Sequence, residues 1–198
     1  MSNFDADRAY FEYLSGRSRL GLWYRRYYLY PRINRMLRGR VLDFGCGIGD
    51  FLGYRPDTAG AEINPHSVAH CVDNGHDARL IENDSIPWSD ESFDGVVMDN
   101  VLEHIPSQRA DAVIDEVLRV LKPGGTLLIG VPGRKGYAAD PDHKCFYGES
   151  DLEQLMSAHG CRMRKLIHMP IGGAFADKHL TQYCIYAAFA KSMRGSPT

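Results

Sequence analysis

An α/β domain is predicted, with a mostly parallel sheet, helices on both faces and a helical extension at the N-terminus. Three observations predict it. Strand-like and helix-like stretches alternate from residue 41 onward, the pattern left by successive crossover connections. The first apolar run, VLDFG over 41–45, leads straight into bare glycine backbone, at the strand end where such sheets bind ligands. The length of 198 residues suits one domain.

Each element has its own justification. Residues 4–38 read as helical, with a break near Pro31. Strands are expected at 41–45, 58–63, 78–82, 93–100 and 126–131. The segment DFLGYRPD after the glycines leaves room for a turn or two of helix, so the first crossover is stunted. HSVAHCVDNGH reads as a helix closed by Gly75. Further on, Ala110, Val113, Ile114, Val117, Leu118 and Leu121 recur at three- and four-residue spacing and share one helix face. Ser107 is the expected cap of that helix, and Pro123 with Gly124 its end. Ser150 with Glu153 suggests a capping box for a helix stopping at Gly160. Two more strands fall near 161–169 and 181–190. The expected division is an extension over 1–40 on the lid or substrate side, a domain over 41–190, and a disordered tail, KSMRGSPT, over 191–198.

Composition excludes several classes. No apolar run is long enough to span a bilayer. MSNFDADRAYFEYL carries acids early and has no apolar core, unlike a secretion signal. Five cysteines form no CxxC pair, which points to a reducing, cytoplasmic setting and no structural zinc. Net charge is only -2, but it is unevenly placed. No acid lies between Glu12 and Asp43, while Arg17, Arg19, Arg25, Arg26, Arg32, Arg35, Arg38 and Arg40 do, interleaved with Trp23 and several tyrosines. This segment reads as a packed helix with a solvated basic face, as a lid for an anionic acceptor, or as a peripheral membrane contact. Without a nucleic-acid motif beside it, nucleic acid ranks last.

The glycine turn narrows the ligand. A P-loop needs Lys and Ser or Thr after its last glycine, but Asp50 and Phe51 follow here. A dinucleotide fingerprint is GxGxxG, whereas Gly45, Gly47 and Gly49 make GxGxG. Asp43, two residues before the first glycine, would repel a phosphate and attract an ammonium. Glu62, ending the second strand, offers two acceptor oxygens to a ribose diol. A nucleoside carrying a cation and no phosphate fits, and S-adenosylmethionine is such a molecule.

Five segments in order then resemble one family. VLDFGCGIG, GAEINP, ENDSIPWSDESFDGVV, VLEHI and EVLRVLKPGGTLLIGVP resemble the motifs of class I S-adenosylmethionine-dependent methyltransferases. The resemblance implies a Rossmann-like, seven-stranded sheet with its last strand antiparallel. It also implies residue roles. Asp43, Gly45, Gly47 and Gly49 would line the methionine part and Glu62 the ribose. Asp84 with Ser85 would read the adenine edge. Asn100 and Val101 would pass under the methionine moiety. Some members acting on quinone precursors hold a divalent metal through an ExxEH arrangement here. This chain has Asn100 where the first acid would stand, so Glu103-His104 is not expected to bind a metal.

The acceptor side is expected in DPDHKCFY, residues 140–147, after the fifth strand. His143 could take a proton from a hydroxyl nucleophile, with Asp140 and Asp142 holding its ring. The expected activity is methyl transfer to oxygen or nitrogen of a small-molecule, glycan or lipid-intermediate acceptor. A cofactor-binding regulator without turnover and a nicotinamide oxidoreductase are the alternatives.

Overall fold

The computed structural model describes residues 3–193, so 194–198 of the expected tail lie outside the described residues. A seven-stranded sheet has the order β3-β2-β1-β4-β5-β7-β6. Its strands are β1 (Val41–Phe44), β2 (Thr58–Glu62), β3 (Ala78–Leu80), β4 (Phe93–Asp99), β5 (Leu121–Pro132), β6 (Cys161–Met169) and β7 (Cys184–Lys191). Neighbours from β3 to β5 pair parallel. β7 runs antiparallel to both β5 and β6. The strand order reverses beside β1, whose neighbours are β2 and β4, and sheets of this kind bind ligands in a crevice at the strands' carboxyl ends there.

Period-two alternation sorts the core into two layers. Leu42, Phe44, Val96, Met98, Leu127 and Ile129 face one side. There they meet Ile114, Val117 and Leu118 of α6 (Ser107–Val120) and Leu152 and Met156 of α8 (Glu149–Ala158). Val41, Val97, Leu128 and Tyr186 face the other side. That face is covered by Leu29, Tyr30, Ile33 and Leu37 from the N-terminal segment. The N-terminal helices thus supply a wall of the core. α4 (Asp50–Tyr54) is the short first crossover helix that DFLGYRPD left room for.

Several local expectations are corrected. The N-terminal segment breaks between α1 (Asn3–Ser15) and α2 (Arg19–Tyr24), where Ser18 caps α2, and not at Pro31. A π-helical turn, Arg25–Leu29, joins α2 to α3 (Tyr30–Asn34). The proline ring would clash with the carbonyl four residues back in a regular helix, and the widened turn before it accommodates it. Pro106, not Ser107, occupies the cap position of α6. That helix ends at Val120, and β5 starts at once. Its register jumps from Leu121 to Thr126, so the Pro123–Gly124 signal marks a bulge inside a strand. At α8 the Asp151 carboxylate accepts the Gly148 N–H at 2.8 Å, the role expected of Ser150 and Glu153. α5 (Pro65–Asp73) is where expected, followed by Gly75 at φ 82°. Two six-residue helices, α7 (Arg134–Ala139) and α9 (Ala174–His179), had no periodic signal to announce them.

Candidate functional site

The crevice has a cofactor end built largely from backbone. After β1 the chain turns through Gly45, Gly47 and Gly49 at φ 77°, 53° and 83°. A Cβ on Gly45 would lie 2.5 Å from Val101 Cγ2, and one on Gly49 2.9 Å from Cys71 Sγ. Conformation and crowding therefore both demand glycine there. Glu62, at the end of β2, accepts the N–H groups of Gly47 (2.8 Å), Ile63 (2.8 Å) and Asn64 (3.0 Å). It thereby ties the glycine turn to the neighbouring strand. A carboxylate has about four lone-pair sites, so these amides leave direct room for one ribose hydroxyl more readily than for a whole diol.

Charge at this end is lopsided. Asp43 is buried. Burial first, then the charges of Asp99 and Glu62, push its carboxyl well above the usual range, while Arg25 pulls it down. Burial raises Glu62 too, against the three amides. Arg25 from the π turn donates to Asp99 Oδ2 at 2.9 Å, and the Tyr186 hydroxyl donates to Asp99 Oδ1 at 2.6 Å. Asp99 and Asp43 thus share one guanidinium, and Glu62 adds negative charge beside Asp43. A ligand bringing an ammonium and a sulfonium relieves that excess, whereas a pyrophosphate would worsen it.

α1 roofs the glycine turn. Leu14 Cδ1 lies 3.3 Å from where a Gly47 Cβ would be. The Asp7 carbonyl accepts Asn64 Nδ2–H at 2.7 Å, and Arg17 donates to Asp50 at 2.6 Å. The Tyr10 hydroxyl pKa is raised by burial and by the charges of Glu62 and Asp140. The basic segment lacks acids of its own, but Asp50, Asp99 and Asp77 from the domain face Arg17, Arg25 and Arg40.

The region past β4 is built from side chains. Asn100 follows β4 in a left-handed conformation, φ 57°, and its N–H bonds to the Gly130 carbonyl at 2.9 Å. Val101 packs on Gly45, and a 3₁₀ turn, Leu102–His104, then presents Glu103 and His104. The loop after α7 is fastened to this turn, because the Glu103 carbonyl accepts the N–H groups of Lys144 and Cys145. His143 is thereby brought in, with its ring centroid 4.7 Å from that of His104. Its Nδ1 meets the Tyr137 carbonyl at 2.9 Å, and its ring stacks on that of Tyr137. Nε2 lies 3.9 Å from both Glu103 Oε1 and Asp140 Oδ2. The orienting group is thus a carbonyl and not one of the aspartates. Asp140 instead accepts the Asp142 N–H. Burial pushes the Glu103 carboxyl up to about 8, and burial lowers the His104 pKa.

Asp84 and Ser85 lie beside α6. The exposed Asp84 carboxylate pairs with Arg109, and Ser85 Oγ lies 3.4 Å from Glu116. Sequence reasoning did not find Arg25, Asp99 or Tyr186. Its one available signal was Asp99, an acid at the carboxyl end of a central strand.

A family model described as a methyltransferase domain matches residues 22–166. The chain belongs to this methyltransferase family. It is 29% identical over 182 residues to a protein of Mycolicibacterium smegmatis named a probable S-adenosylmethionine-dependent methyltransferase, covering 83% of this chain and 68% of that one. It is 34% identical over 94 residues to a tRNA (carboxymethyluridine(34)-5-O)-methyltransferase of Arabidopsis thaliana. That match covers 46% of this chain and 23% of the relative, so the chain spans about a quarter of the relative's length. Among solved structures, a SAM-dependent methyltransferase from Thermotoga maritima superposes with a TM-score of 0.72 at 18% identity, covering 92% and 98% of the two chains. The chain carries a methyltransferase domain, and its fold is Rossmann-like. Among the described residues, no helix is long and apolar enough to cross a membrane.

Proposed function

We propose that this methyltransferase methylates a hydroxyl oxygen of a small-molecule, glycan or lipid-intermediate acceptor. The supporting observation is the position of His143. It sits with Glu103 one short turn beyond Val101, and Val101 packs on the glycine turn. Bound S-adenosylmethionine supplies an electrophilic methyl on its sulfonium. Asp43 and the Gly45, Gly47 and Gly49 turn hold the methionine part, with Asn100 and Val101 beneath it. Glu62 holds the ribose. Asp84 and Ser85 serve the adenine edge once Asp84 leaves Arg109. α1 closes over the turn and excludes water. The bound cofactor would supply its methyl to the acceptor oxygen and keep the sulfur as the leaving group, and His143 would take the hydroxyl proton.

The test is turnover with isotope-labelled cofactor against panels of hydroxyl and amine acceptors, products being read by mass spectrometry. His143→Ala should lower turnover on the hydroxyl acceptor about 10²–10⁴-fold, the usual worth of general-base help. A drop of less than about tenfold would leave His143 a loop residue.

A second reading, an RNA acceptor, is favoured by one surface. Leu20, Trp23 and Tyr27 are exposed beside the exposed Arg19 and Arg26, and aromatic faces among cations bind unstacked bases. It agrees with the name of the Arabidopsis relative. Labelling of total tRNA would select this reading.

A further inference from the structure

Glu103 is a buried acid, 1% exposed, and neither of its carboxylate oxygens has a hydrogen-bond partner. Such a group demands explanation, since an unpartnered buried carboxylate costs several kcal/mol or more. The donors around it are two imidazoles, His104 beside it in the 3₁₀ turn and His143 from the loop after α7. One donor atom from each of the three residues lies within 4.8 Å of the others. Donors held 2.0–2.2 Å from one cation stand about 3–4.4 Å apart. Three ligands of one tetrahedral cation stand about 3.3–3.6 Å apart, so side-chain movements of about an ångström would close the set.

The surroundings suit a cation rather than a hydrogen-bonded cluster. His143 Nδ1 is already engaged by the Tyr137 carbonyl, which leaves Nε2 to face Glu103. A carbonyl on the far nitrogen is the usual orienting partner of a metal-bound histidine. The Asp140 carboxylate stands 3.9 Å from the same Nε2 and adds negative charge. The second imidazole comes from forty residues downstream, so the stretch from Asn100 to His104 does not by itself reveal the set.

We propose that Glu103, His104 and His143 form a binding site for a divalent transition-metal cation, with open positions for an oxygen of the acceptor. Two imidazoles and one carboxylate select zinc, manganese, iron or cobalt over magnesium or calcium. The role in catalysis rests on the proposed function; cation binding does not. A cation held here would take over from His143 the activation of the acceptor hydroxyl, so loss of His143 lowers turnover either way, and acceptors that chelate through two oxygens are favoured.

The test is calorimetric titration of chelator-treated, full-length protein with Zn²⁺ and with Mn²⁺. The absorption spectrum of Co²⁺ added to the same protein is recorded alongside. The expected result is one equivalent bound, with a Co²⁺ spectrum unlike that of the aqueous ion. Glu103→Gln and His143→Ala should each weaken binding by at least about 10–100-fold, the cost of losing even an outer partner. S-adenosylhomocysteine binding, measured on every variant, reports that the fold survives. His159→Ala, which removes an imidazole lying between Asp111 and Asp115, should leave the affinity unchanged. Wild-type protein that binds S-adenosylhomocysteine but none of the three cations overturns the cation site and leaves the methyl-transfer reading standing. So does binding that follows His159 and ignores Glu103. Cation binding without S-adenosylhomocysteine binding would strike the functional reading alone.

Discussion

The two ends of the crevice are made in different ways. The cofactor end is mostly backbone: glycines at positive φ and amides gathered on Glu62, all within 41–64. The end proposed for the acceptor is side chains, Glu103 and His104 from one turn and His143 from a loop that folds back onto it. A backbone site suits a ligand that does not change. A side-chain site on a loop can be altered residue by residue, and that is where acceptor choice belongs. Substitutions at the first end should therefore disturb cofactor binding and fold together, and substitutions at the second should disturb turnover alone.

The largest expected effect that sharpens this contrast is at Gly45. Gly45→Val places a branched side chain at φ 77° against Val101. Strain and overpacking together should cost about 2–4 kcal/mol of stability. Urea denaturation should show that loss, and S-adenosylhomocysteine should no longer raise the midpoint.

Arg25→Met comes next. It leaves Asp99 largely buried without its cation. Removing one partner of a buried pair costs about 3–5 kcal/mol, and the partial exposure of this pair reduces that to about 2–3. Adding Asp99→Asn should recover much of the loss in a double-mutant cycle. Equal stability of Arg25→Met and the wild type would mean that the π turn places no structural charge.

A smaller effect concerns pH. The Asp43 carboxyl is held above its ordinary range in the free protein, and a bound ammonium favours its ionised form. Affinity for S-adenosylhomocysteine should be full above that raised pKa. It should fall by at most about tenfold per pH unit as pH drops through it. Asp43→Asn should bind more weakly and lose most of this dependence. A wild-type affinity that is flat across the acidic range would detach Asp43 from the ammonium.

The same contrast explains what the sequence made legible. GxGxG behind Asp43, with Glu62 one strand on, is a local pattern in which φ and spacing are set by neighbours in the chain. The sheet was legible because its strands alternate or run apolar, and the stunted α4 because seven or eight residues can make little else. The triad Glu103, His104 and His143 was not legible, because two Glu103 carbonyl bonds to a distant loop bring it together. The N-terminal segment was half legible. Its arginines stood out, but their partners Asp50, Asp99 and Asp77 lie elsewhere in the chain. The sequence around Asp84 gave no hint of Arg109, which α6 places beside it.

Cofactor holding and acceptor chemistry are proposed to occupy separate ends of one crevice. Calorimetric titration of S-adenosylhomocysteine into Glu62→Ala and His143→Ala tests this most directly. Loss of a charged hydrogen bond at Glu62 is worth about 1.5–3 kcal/mol, so affinity should fall roughly 10–100-fold there and stay at the wild-type value in His143→Ala. Unchanged affinity in Glu62→Ala, or an equal loss in both variants, would contradict the account.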